Sequence, residues 1–226
     1  MKQLLLVAAV FFSIAAQAQS DKYADAMQQA LSKFDSAKTP TDFENIAAAF
    51  TRIGDAEKTQ WLPYYWSALA LATEGWKYYP DAKGVTEMKV SDLSATITAL
   101  ASRINGLLDK ADAAATDDNA RSEIFTIRNM AATQQMLVDP QSLYMTFGAQ
   151  AGEDLQKAMK LNANNPRAYY LQGMSLFGTP EQFGGGKAVA KPLFQKAVDL
   201  GQAEQAKPLY PHWGLDMSKA MLAACQ

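Results

Sequence analysis

The chain has 226 residues, 49% of them hydrophobic and 19% charged, with 21 lysines and arginines set against 23 acids. A formal net charge of −2, with no cluster of lysine and arginine, leaves no electrostatic footprint for a nucleic-acid partner. A single cysteine, Cys225, cannot staple an exported domain, so stability has to come from packing.

Residues 1–18 have the form of an export signal. Lys2 supplies the positive end, Leu4 to Ala16 the short apolar core, and Ala16-Gln17-Ala18 a small-x-small cleavage site before Gln19. That run is too short for a membrane span, and no later segment approaches the roughly 20 apolar residues that a span requires. With no cysteine beside the cleavage site, a lipid anchor is not expected. The mature chain, Gln19 to Gln226, is expected to be exported, periplasmic or secreted, without membrane insertion and as one domain.

Abundant Ala, Leu, Met and Gln, with few β-branched runs, predict an all-α chain. Helix one should run from about Asp21 to Ala37 and end at Thr39-Pro40. A capping box, Thr41-Asp42-Phe43-Glu44, should open helix two, whose stripe of Phe43, Ile46, Ala47, Phe50 and Ile53 stops at Gly54. Helix three starts near Thr59, since Pro63 is tolerated only in a first turn, and reaches Gly75 or Tyr79. It holds Trp61, Tyr64, Tyr65, Trp66 and Trp76 and is apolar nearly all round, which predicts a central, buried helix.

A polar loop, Pro80 to Gly84, leads to helix four, about Ser91 to Ala114, with Leu93, Ile97, Leu100, Ile104, Leu107 and Leu108 inward. Asp117-Asp118 opens helix five, with Ile124, Ile127, Met130, Ala131 and Leu137 on one side. Asp139-Pro140 ends it and caps a sixth, which carries Leu143, Phe147, Ala151, Leu155, Ala158 and Leu161. The stretch Asn165 to Leu200 is the best-punctuated hairpin. Asn165 is placed to cap, Pro166 sits at the first helical position, and Gly184 to Gly186 break the chain before a second helix. Past Gly201 come a linker with Pro208 and Pro211 and a last helix from about His212 to Ala224.

That second helix carries Ala190, Phe194 and Ala197, and the first carries Tyr169 and Gly173. In these small–large–small offsets the hairpin resembles the tetratricopeptide repeat (TPR). Its loop, TPEQFGGG, is longer than the repeat's short turn. Ala151, Leu155 and Ala158 echo the same offsets. The phrase TPEQFGGGKAVAKPLFQKAV also looks like that of small exported bacterial proteins with degenerate repeats of this kind. The resemblance implies a TPR-like α-solenoid of about four antiparallel helical hairpins plus a C-terminal capping helix. It further implies a non-catalytic scaffold that binds a protein or peptide on its concave surface. Arg167, Tyr170, Met174 and Phe177 would line that groove, with Arg128, Gln135 and Tyr65 added by approximate register.

Catalytic chemistry finds little material. The only histidine, His212, has no second histidine to work with, and Cys225 is remote from it in the chain. The GGGK run lacks the glycine that a P-loop needs at position 181 and the hydroxyl it needs at position 188. Asp117-Asp118 caps a helix. No catalytic residue, cofactor or metal site is therefore assigned. The aromatic block 61–79 carries the competing function. Rings in a groove could bind a glycan or cell-wall fragment, in a pocket walled by Trp61, Tyr65 and Trp76, whereas full burial would make them core.

Overall fold

Prolines and capping side chains decide where these helices begin. The computed structural model describes residues 21–79 and 90–226; the export signal read at 1–18 and the Pro80 to Gly84 loop lie outside the described residues. Residues 21–34 form helix α1. There follow α2 (Pro40–Ala56), α3 (Leu62–Trp76), α4 (Val90–Ala114), α5 (Asp118–Val138), the short α6 (Pro140–Leu143), α7 (Ala149–Leu161), α8 (Pro166–Gly178), α9 (Lys187–Ala203) and α10 (Leu215–Ala224). Every regular element among the described residues is helical.

The capping box of α2 sits elsewhere than the sequence suggested. Thr39, not Thr41, is the cap: its Oγ1 accepts from the Asp42 backbone N–H at 3.2 Å, and Asp42 Oδ2 accepts from the Thr39 N–H at 2.8 Å. Pro40 becomes the first helical residue, where its missing N–H costs nothing. The sixth predicted helix is interrupted. A π-turn over Tyr144–Gly148 separates α6 from α7, and Gly148 leaves room there for the Tyr144 ring and Met136 Sδ. The wider turn shifts the helical register. Leu143 and Phe147 are consequently only half-buried, while Tyr144 and Met145 stand 62% and 80% exposed. The last helix starts three residues later than expected, at Leu215.

From α2 to α6 and from α7 to α10 each helix packs on the next in sequence, and α5 pairs with α7; α3 also meets α5, and α5 meets α8. Helix α3 is the central one, buried over almost its whole length against α2, α4 and α5. Hydrogen bonds from side chains to main-chain carbonyls set the spacing. Ser67 donates to the Ala47 carbonyl (2.8 Å), Gln134 to Ala72 (2.7 Å), Asn129 to Ala151 (2.8 Å) and Ser122 to Ala158 (2.8 Å). An alanine at each acceptor lets the partner backbone come close enough to be reached.

The two small–large–small sets are core. Ala151, Leu155 and Ala158 are buried against α5 and α8, and Ala190, Phe194 and Ala197 against α8. Gly173 meets Phe194 so closely that an added Cβ would lie 2.6 Å from the ring. Gly173→Ala should therefore cost roughly 1–3 kcal/mol of unfolding free energy through overpacking. It should lower the urea midpoint without changing the slope. Gly152→Ala, where an added Cβ meets nothing within 4 Å, should leave the midpoint unchanged or raise it.

Candidate functional site

The N-terminal ends of α3, α5 and α8 face one cavity of about 620 Å³, walled by Trp61, Glu123, Arg167, Tyr210, His212 and Trp213 among others. Its outer wall is the segment 204–214, which the sequence reads as a linker giving way to the last helix at about His212. Pro208 and Pro211 keep it out of a helix, Leu209 turns it at φ 66°, and Gly214 ends it at φ 103°, where only glycine is unstrained. The segment is a strap across α3. Trp66 Nε1 donates to the Leu209 carbonyl (2.8 Å), Trp213 Nε1 donates to the Tyr65 hydroxyl (2.8 Å), and the Tyr210 ring stands edge-on to Trp61 at 5.7 Å. His212 Nδ1 lies 3.1 Å from the Tyr210 carbonyl. A carbonyl can only accept, so Nδ1 carries the proton in that contact.

A buried ion network ties the strap to the helices. Arg167 Nε donates to both Glu123 oxygens, at 2.9 and 2.8 Å. Its Nη1 reaches Glu204 (3.1 Å) and the Trp213 carbonyl (3.3 Å), and its Nη2 donates to the other Glu204 oxygen. The Tyr65 hydroxyl donates to Glu123 at 3.3 Å. Burial works against the Arg167 charge, but Glu123 and Glu204 outweigh it and hold the guanidinium pKa above its ordinary value. Burial pushes the Glu123 carboxyl up, and Arg167 opposes that rise. The Tyr65 phenol is raised well above its usual range by burial and then by the Glu123 charge.

The seven residues proposed for a concave groove do not share one open surface. Tyr65 is fully buried and Arg167 is 3% exposed; both belong to the network behind the cavity. Tyr170 is buried against Phe194, and Phe177 packs half-buried on the same ring. Arg128 is held by Asp109 (2.7 Å) and Asn105 (3.2 Å), and Gln135 is half-buried. Met174 alone of the seven is exposed.

The pocket imagined between Trp61, Tyr65 and Trp76 does not form. Fifteen residues of helix put Trp61 and Trp76 about 22 Å apart, and Trp76 lies exposed at the far end of α3. Sequence reading missed Glu123, Glu204, Tyr210 and Trp213. Glu123 alone left a signal, a charge next to Ile124 on the inward face of α5. Among the described residues, no three His, Cys, Asp or Glu side chains are placed to hold a metal ion.

No protein-family model matches the chain, and no curated protein matches it. Among solved structures it is similar to the HusA haemophore from Porphyromonas gingivalis, at 32% identity over 90% of this chain and 92% of that one, with a TM-score of 0.76. The chain belongs to the HusA family. Every described element of the chain is helical, and no described helix is long and apolar enough to cross a membrane.

Arg167→Met should cost about 3–5 kcal/mol at neutral pH, because it strands a buried carboxylate. In that variant burial raises Glu123 with no guanidinium to oppose it. A carboxyl whose folded pKa exceeds its unfolded value favours the fold at low pH and loses that contribution as pH rises through the folded value. The Arg167→Met deficit should shrink as pH falls into the glutamate range. Adding Glu123→Gln should flatten the trend, as read from melts across pH.

Proposed function

We propose that the protein is a non-catalytic, exported carrier that holds haem or a related flat tetrapyrrole in the cavity beneath the strap. The observation that carries this is the likeness to the HusA haemophore over nine-tenths of the chain. The cavity agrees in size with known small-molecule sites, roughly 300–1,000 Å³. Trp61, Tyr210 and Trp213 supply ring faces and edges for a planar apolar ligand, and Lys207, over the Tyr210 ring at 5.2 Å, supplies a cation. The TPR-like arrangement belongs to the same proposal. Its support is the succession of α3, α5 and α8 contacts and the paired small–large–small sets.

A second reading is favoured by a different observation. The ends of α3, α5 and α8 away from the cavity carry Trp76, Leu137 and Met174 exposed, with Tyr144 and Met145 nearby in sequence on the π-turn. Exposed apolar side chains of this kind suit a protein or peptide partner.

Titration of the mature protein with hemin and with metal-free protoporphyrin IX, followed by Soret absorbance and tryptophan quenching, tests the carrier function. Saturable binding is expected, weakened about tenfold or more by the paired changes Trp61→Ala and Tyr210→Ala. Absence of binding, or binding that those changes leave intact, would overturn it. Retention of a peptide or glycan by a protein that ignores both porphyrins would favour the alternatives.

A further inference from the structure

Arg167 grips two carboxylates in different ways. Glu123 takes the Nε side, is 8% exposed, and is pinned from behind by the Tyr65 hydroxyl. Glu204 takes the Nη1/Nη2 end of the guanidinium, is 33% exposed, and sits where α9 gives way to the strap. Among the described residues Glu204 has no partner besides Arg167. All three side chains line the cavity.

We propose that the Nη end of Arg167 is a carboxylate subsite of the cavity, occupied in the free protein by Glu204 as a stand-in that a ligand carboxylate displaces. A guanidinium presents a planar fork of N–H donors that fits a carboxylate with two parallel bonds. Here that fork is rigid, because Glu123 fixes the plane through Nε. One guanidinium cannot neutralise two carboxylates, so the buried Glu123 holds the stronger claim. Glu204 is the more exposed of the two acids, so returning its carboxylate to water costs less than parting Glu123 from the guanidinium would. Exchanging one carboxylate for another leaves the charge around Arg167 unchanged and returns Glu204 to water, so no new charge is buried.

The other charged side chain on the cavity wall, Lys207, lies on the strap and adds attraction for the incoming anion. Displacement also frees one of the strap's anchors to the helices, coupling occupancy to strap mobility. The natural occupant, on the tetrapyrrole reading, is a propionate arm of haem; the subsite itself rests on geometry alone.

The test compares protoporphyrin IX with its dimethyl ester, which keeps the ring and loses the charges. Glu204→Ala removes the competitor without burying anything. It should bind the free acid several-fold more tightly than the native protein while binding the ester equally well, and Glu204→Gln should fall between. Unchanged or weaker free-acid binding, or equal gains for acid and ester, would overturn the subsite.

A porphyrin-free arm keeps the two proposals separable. The Arg167 side-chain ¹⁵N–¹H signals, titrated with sodium propionate against sodium chloride, should shift saturably in Glu204→Ala and not in the native protein. If neither porphyrin binds, the tetrapyrrole function fails, and this titration still decides the subsite. No shift in the variant would refute it. Hydrogen exchange over residues 205–212 should speed up in Glu204→Ala, with α3 and α5 unaffected.

Discussion

A charge taken out of water must be met by another, and Arg167 is where this protein meets that requirement. Its guanidinium is nearly inaccessible, and so is its principal partner, Glu123. Removing either alone would leave an uncompensated buried charge, which is why such pairs tolerate so little variation even where an apolar pair would be as stable. The geometry around the pair is strict. Arg167 opens α8, Glu123 lies in the second turn of α5, Tyr65 belongs to α3, and Glu204 and Trp213 bracket the strap. Three helices and the strap are tied together around one cation, and the cavity is the space left among them.

The two ends of the α3, α5 and α8 row differ in chemistry. At one end polar hydrogen bonds, an ion network and aromatic edges enclose a cavity. At the other, Trp76, Leu137 and Met174 stand exposed. Helices pinned through carbonyls at Ala47, Ala72, Ala151 and Ala158 cannot slide past one another without losing buried hydrogen bonds. The cavity is therefore held by a rigid frame on three sides. Its outer wall is a strap without helical hydrogen bonding. Local opening draws on the least stable parts of a structure, and a segment held by a few side-chain anchors is of that kind.

Helical frames of this kind host many activities, so the fold supplies only a context for function. What narrows the field is the likeness to a haemophore together with the nature of the cavity wall, where rings and a cation lie side by side. The exposed apolar end offers a surface of a different kind, and the two proposed uses lie at opposite ends of the same helices.

Local signals in the chain were enough for the helices. Pro63 and Asn165-Pro166 mark starts that the structure keeps, and the stripes of α4 and α5 mark faces that are buried, except that Leu107 is half-buried and Leu137 is exposed. The capping pattern pointed to Thr41, whereas the helix starts at Pro40 and is capped by Thr39, because Asp42 reaches back to the Thr39 N–H. The aromatic richness of α3 was legible as burial but not as a wall, since periodicity says which face is inward and not what covers the outward one. The site was almost wholly illegible. Tyr65, Glu123, Arg167 and Trp213 are separated by tens of residues, and meet only because α3, α5 and α8 start at one end and the strap returns across them. A sequence records what is near along the chain; which distant charges must share a dry space is decided only when the helices close around them.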